Sequence, residues 1–136
     1  MTYRFPSEEW LQALKDEINN SEAYRNAAAT WEGDFNFVIE PGSGFPEPAV
    51  LYIDLWHCEA RSVSMVASES EKNPEFIIRA PIGTWQRVIE KKLDAIQGLI
   101  TGQLKLKGTL SKIMRAPKAA AELVNCATQV PTEFPG

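Results

Sequence analysis

The sequence predicts an α+β domain: a five-stranded, mostly antiparallel sheet covered on one face by helices. Three observations carry that reading. Apolar residues recur at helical spacing over residues 8–31, then alternate one by one over residues 35–78. Helical spacing returns beyond Pro81. Finally, GQLKLKG at residues 102–108 places one more alternating stretch after that helical excursion. At 136 residues the chain reads as one domain, 1–136, large enough for a real core.

Ser7 caps a first helix, with Glu8 and Glu9 well placed in its first turn. Trp10, Leu11, Leu14 and Ile18 form its apolar face. Asn19-Asn20-Ser21 breaks the pattern, and Ser21 caps a second helix whose stripe is Tyr24, Ala27, Ala28 and Trp31, ended by Gly33. Phe35, Phe37 and Ile39 then alternate with polar neighbours as a first strand. PGSGFPEP at 41–48 is a loop. In the second strand Leu51, Ile53 and Leu55 line one side, and Val50, Tyr52, Asp54 and Trp56 the other. Apolar residues on both sides imply a central strand or a covered outer face. The chain turns around Cys58-Glu59-Ala60, Val63 and Met65 mark a third strand, and a polar loop leads to a fourth, Phe76-Ile77-Ile78.

Trp85, Val88, Ile89 and Leu93 then share one helical face. Asp94-x-x-Gln97 reads as a capping box for a turn bearing Ile96, Leu99 and Ile100, and Gly102 stops it. Leu104 and Leu106 alternate with Gln103, Lys105 and Lys107 in the fifth strand. Residues 109–115 are helical, with Leu110, Ile113 and Met114 on one side. Pro117 suits the first turn of a last helix carrying Leu123 and Val124, and residues 130–136 read as a loose tail. The helices over 84–102 and 109–127 flank the late strand, so they cover the same sheet face. Apolar helices over a curved sheet can close around an internal cavity.

Reactive chemistry is sparse. The one histidine, His57, adjoins Cys58, but neighbouring strand residues point to opposite faces, so a catalytic pair is disfavoured. One His and two distant Cys give no metal-ligand spacing, and no phosphate-binding glycine motif appears; no cofactor is expected. Asp54, alone in an apolar strand, reads as a structural hydrogen-bonding group. Gly98 and Gly102 read as helix punctuation. Cys58 and Cys126 make no disulfide framework, and MTYRFPSEEW lacks a signal peptide's apolar run, so a cytoplasmic setting is expected. A net charge of −4 argues against nucleic acid. Of the 18 acidic side chains only Glu122 and Glu133 lie beyond residue 94. Residues 103–121 hold Lys105, Lys107, Lys112, Arg115 and Lys118 and no acid, which is either a solvated face or a patch for transient contact with an anionic membrane surface or with an acidic ligand group.

Three features together resemble the sterol carrier protein family, the non-specific lipid-transfer or type 2 domain. They are Ile53-Asp54-Leu55 on the second strand, Thr84-Trp85 opening a helix, and LITG at 99–102 running into GQLKLKG. The resemblance covers roughly residues 31–116. It implies a five-stranded sheet roofed by helices over a hydrophobic tunnel for fatty acids, acyl-CoA esters, phospholipids or sterols. Carried over, it implies a cavity lined by Phe35, Phe37, Ile53, Leu55, Trp85, Ile89, Leu99, Ile100, Leu104, Leu106, Leu110 and Met114, with Leu104 and Leu106 in the floor. Two departures stand out. The chain has no C-terminal peroxisomal tripeptide, and its 41–48 loop is richer in Pro and Gly than a tight hairpin.

Two functions fit. The first is non-catalytic binding and intracellular transfer of a long-chain lipid or other hydrophobic small molecule. The second is a ligand-free interaction module, a homodimer through Val50, Tyr52 and Trp56 or an accessory to a larger enzyme.

Overall fold

The computed structural model describes residues 2–135. Its main sheet has five strands: β2 (Glu32–Glu40), β3 (Ala49–Trp56), β4 (Glu59–Val66), β5 (Phe76–Pro81) and β6 (Lys105–Lys107). They lie in the order β4-β3-β2-β5-β6, and every neighbouring pair is antiparallel except β2 with β5. The helices are α1 (Glu8–Asn19), α2 (Glu22–Ala27), α3 (Ile82–Ile89), α4 (Ala95–Thr101), α5 (Leu110–Met114) and α6 (Pro117–Gln129). The α+β architecture expected from the alternation of periods is present.

Register decides which side chains share a face, because the side-chain period of a strand is two. Phe35 pairs with Ile53 and Phe76, Phe37 with Leu51 and Ile78, and Ile78 with Leu106. All of these therefore point to the helical side. The opposite face carries its own small cluster of Val38, Val50 and Val66, with Tyr52 and Ile77 packed against it.

That outer face differs from the exposed patch expected for a homodimer. Val50 is buried within the valine cluster. The Tyr52 hydroxyl donates to Asp34 Oδ2 at 2.8 Å, and Lys72 Nζ sits 5.0 Å from its ring centre. Burial first, then the Asp34 carboxylate, pushes the Tyr52 phenol up. Trp56 stacks on His57 and lies under the Arg61 guanidinium at 4.6 Å. Arg61 also forks onto Asp54, at 3.1 and 3.2 Å, so Asp54 ties β3 to β4 as a structural carboxylate. Of the expected patch, Val50 is thus buried and Tyr52 half-buried, while Trp56 stays 38% exposed.

Several local expectations shift. The second helix stops at Ala27, and Trp31 leaves the helical path to stack on Phe35 and Phe76; Gly33 then lies inside β2. Aromatic stacking on the sheet wins over one more helical turn. The β3–β4 turn is His57-Cys58, one residue earlier than expected, and both residues have positive φ. That conformation usually selects Asn or Gly. Here two backbone bonds hold it, His57 N–H to the Trp31 carbonyl at 2.7 Å and Cys58 N–H to the Ala28 carbonyl at 3.0 Å. Helix α3 ends at Ile89, four residues short of Leu93. Asp94 caps α4 by accepting from the Ile96 and Gln97 amides. Within the expected loose tail, β7 (Thr132–Glu133) pairs with β1 (Tyr3–Arg4), and Trp10 Nε1 donates to Thr132 Oγ1 at 2.9 Å; Gly136 lies outside the described residues. Phe5 packs edge-on against Trp10 and Phe134 beneath this clasp.

The GQLKLKG motif gains a physical meaning. Gly102 ends α4 at φ 82°, and Gly108 sits at φ 133° where a Cβ would fall 2.7 Å from the Phe76 ring and 3.0 Å from the Glu75 carbonyl. Both positions therefore demand glycine. Gly108→Ala is expected to cost about 1–3 kcal/mol in urea unfolding, and an unchanged midpoint would show that this approach has slack. At the other sheet edge, Asn19 imitates a neighbouring strand. Its Oδ1 accepts from the Ala60 amide at 2.8 Å and its Nδ2 donates to the Ala60 carbonyl at 3.1 Å. Asn19→Ala leaves both β4 groups unpaired, and the same measurement should register a loss of about 1–3 kcal/mol.

Candidate functional site

Five aromatic rings pave the helical side of the sheet. Trp31 stacks on Phe35 at 5.9 Å between centroids, Phe35 on Phe76 at 5.0 Å and on Phe37 at 5.4 Å, and Trp85 meets Phe37 edge-on at 5.4 Å. These separations are those of mutually attractive rings. Trp85 is fixed further by its Nε1, which donates to the Val38 carbonyl at 3.0 Å inside the core. The floor is thus bulky and stiff.

Above it the covering helices present smaller groups. Helix α6 contributes Ala119, Ala120 and Ala127, α4 contributes Ala95, and Ala116 joins α5 to α6. Leu123, Val124 and Leu99 fill in between, and α1 adds Trp10, Leu11 and Leu14 at one end. Alanine methyls do not reach the rings below, and a cavity of about 130 Å³ with a wholly apolar wall is left. An apolar cavity of comparable size, about 150 Å³, stays dry and accepts a benzene-sized guest. The space as it stands therefore fits a ring or a stretch of alkyl chain, and a longer chain needs the covering helices to move.

Of the residues expected to line a cavity, Phe35, Phe37, Leu55, Trp85, Ile89, Leu99 and Leu104 lie in its wall. Five do not. Ile53 is fully buried within the sheet's packing and is not among the wall residues. Leu106 lies opposite Ile78 on β6 and is only half-buried, away from the wall. Ile100, Leu110 and Met114 are 54%, 36% and 39% exposed and face outward. The cause is helix length. The five residues of α5 turn one apolar side chain, Ile113, inward, and α4 spends its inner face on Ala95, Ile96 and Leu99. Leu104, ahead of β6, packs under α4: its amide donates to the Gly98 carbonyl at 2.9 Å, and a Cβ on Gly98 would meet its side chain at 3.0 Å. Gly98 is thus a close-contact position, more than helix punctuation.

Sequence reasoning missed the alanines of the α6 face, the α1 residues, Phe5 and Tyr24, along with further wall residues such as Trp31, Ile39, Leu51, Ile78 and Val88. Ala116, Ala119, Ala120 and Ala127 do fall on one helical face, so the face was legible, but nothing in a row of alanines says that the space opposite stays empty.

The polar groups nearby are quiet or paired. Burial pushes the Tyr24 phenol up, aided by the Cys126 and Cys58 thiols, and burial also raises the Cys126 thiol, so both stay neutral at physiological pH. At one end of the aromatic floor, Lys112 Nζ bonds Glu75 at 2.8 and 3.0 Å and the Glu32 carbonyl, and lies 5.1 Å from the Trp31 ring centre. Among the described residues no group of three or more His, Cys, Asp or Glu could hold a metal ion, and no helix is long and apolar enough to cross a membrane.

Comparison with known proteins bears on this arrangement. A crystal structure of sterol carrier protein 2 shares 39% identity, covers 91% of this chain and 97% of its own, and superposes with a TM-score of 0.84. A conserved hypothetical protein from Thermus thermophilus shares 38% identity over 93% of this chain and 90% of its own, with the same TM-score. At 12% identity, the sterol carrier protein 2 of Aedes aegypti in complex with palmitate covers 82% of this chain and 94% of its own at a TM-score of 0.52, a likeness of fold. No curated protein matches the chain. The model of the SCP-2 sterol transfer family matches residues 11–120, and the chain belongs to that family, whose members generally bind lipids.

Proposed function

We propose that this protein binds the alkyl part of a single hydrophobic or amphiphilic molecule, without catalysis, in the space between the aromatic floor and α6, and carries it between membranes. The observation that supports this reading is the wholly apolar cavity of about 130 Å³ opposite four alanines. Binding is partition: apolar surface leaves water for a dry space, at about 0.8 kcal/mol per buried methylene.

Exchange follows from α5. Ile113 faces the cavity, while Leu110 and Met114, four residues apart, face outward on the same short helix. Lys107, Arg115 and Lys118 flank them. Contact of α5 with an anionic bilayer would draw Leu110 and Met114 into the interface and pull Ile113 away from the cavity, opening it. The basic run of residues 103–121 then serves as the membrane-facing patch.

Titration with saturated fatty acids of increasing length, followed by tryptophan fluorescence, should show affinity rising about fourfold per added methylene until the space is full. Affinity independent of chain length would remove the partition mechanism. Ala120→Phe, which fills the space from the roof, should cut uptake on the order of tenfold, as exclusion of two methylenes implies, with the thermal midpoint held or raised. Undiminished uptake by a folded variant would place the ligand elsewhere. For the release step, Leu110→Ser with Met114→Ser should slow transfer to vesicles containing phosphatidylserine and leave equilibrium uptake unchanged. Equal transfer rates for both proteins would exclude α5 as the contact.

A further inference from the structure

A second pocket, of about 250 Å³, opens beside the first and is lined by Ala27, Thr30, Trp31, Glu32, Lys112, Arg115 and Ala116. Trp31 and Ala116 are in the walls of both. The two spaces are therefore neighbours that share one indole and one methyl group, the first wholly apolar and the second lined by both polar and apolar groups. Such a pair matches the two ends of an amphiphile.

The charges in the second pocket are not equivalent. Lys112 is engaged by the Glu75 carboxylate and the Glu32 carbonyl. The Glu32 carboxylate, the one acid in the wall, is held by His57 Nε2. Arg115 is exposed, and its guanidinium has no ion-pair or hydrogen-bond partner among the described residues. It is the uncompensated cation of the pocket, and its planar fork suits two oxygens of one group. Thr30, whose hydroxyl is a neutral donor, lines the same pocket.

We infer that this second pocket is a headgroup subsite, in which Arg115 recognises the terminal oxyanion, a carboxylate or a phosphate, of a single-chain amphiphile whose tail lies in the apolar cavity. The inference rests on the carrier reading above and adds to it a preference for anionic over neutral ligands. Trp31 and Ala116 mark where tail gives way to headgroup. Lys112 holds the indole in position from the pocket side through its contact with the ring face.

The test compares dodecanol, dodecanoate and dodecyl phosphate at neutral pH, each titrated calorimetrically below its aggregation concentration against the wild-type chain and Arg115→Gln. Because Arg115 is exposed and unpartnered, the variant should fold normally, which its circular dichroism and thermal midpoint will check. The wild type should bind at least one of the two anions about tenfold more tightly than dodecanol. Which anion gains more distinguishes a carboxylate from a phosphate site. Arg115→Gln should lose most of that preference with dodecanol binding unchanged, and added salt should weaken only the anions. Equal affinity for all three in the wild type, or a preference retained in the variant, would overturn the subsite and leave the apolar cavity standing. Failure of dodecanol as well as both anions to bind would overturn the carrier reading and the subsite with it.

Discussion

The structure depends on a mismatch of size between two packed layers. A stiff pavement of Trp31, Phe35, Phe37, Phe76 and Trp85 lies below, and a helix that offers mainly alanine lies above. Most protein interiors close such gaps, since lost contacts are unfavourable. At about 24 cal/mol per Å³, a space of about 130 Å³ would cost on the order of 3 kcal/mol if fully enclosed and empty. That is a large share of the stability of a domain this size. The same deficit is what an alkyl chain would recover on entering.

The remainder of the fold compensates for the weak layer. The aromatic floor is set by the register of β2 against β3 and β5, and the outer sheet face is closed by its own valine cluster, by Arg61 between Asp54 and Trp56, and by Tyr52 on Asp34. Asn19 occupies the free edge at Ala60, and the paired terminal strands close over Phe5. Helix α5 is tied to this floor through Lys112, which bonds Glu75 and the Glu32 carbonyl and lies over the Trp31 ring. Helix α5, with Ile113 turned inward and Leu110 and Met114 outward, lies between the apolar cavity and the pocket lined by Arg115, and it is the part proposed to move.

Much of this arrangement was legible in the sequence. The switch between helical and alternating spacing located the elements, Ser7, Ser21 and Asp94 announced three caps, and Gly102 announced a stop. Seven of the residues that the family resemblance implied for a cavity lie in the wall of this space. What stayed hidden depended on tertiary competition. Trp31 reads as helical until the stack with Phe35 and Phe76 exists. Leu110 and Met114 read as inward until α5 proves to be five residues long. The His57-Cys58 turn carries no Asn or Gly because distant carbonyls of Trp31 and Ala28 hold it. The void itself is the least legible feature, since an alanine stripe looks the same whether its neighbour reaches it or not.

The most direct measurement is by NMR: intermolecular NOEs between unlabelled dodecanoate and the ¹³C-labelled protein. A ligand held between the two layers gives contacts from its methylene protons to the methyl groups of Ala119 and Ala120 above and to the rings of Phe37 and Trp85 below. Contacts confined to the outer sheet face, or none to the alanines of α6, would contradict that placement.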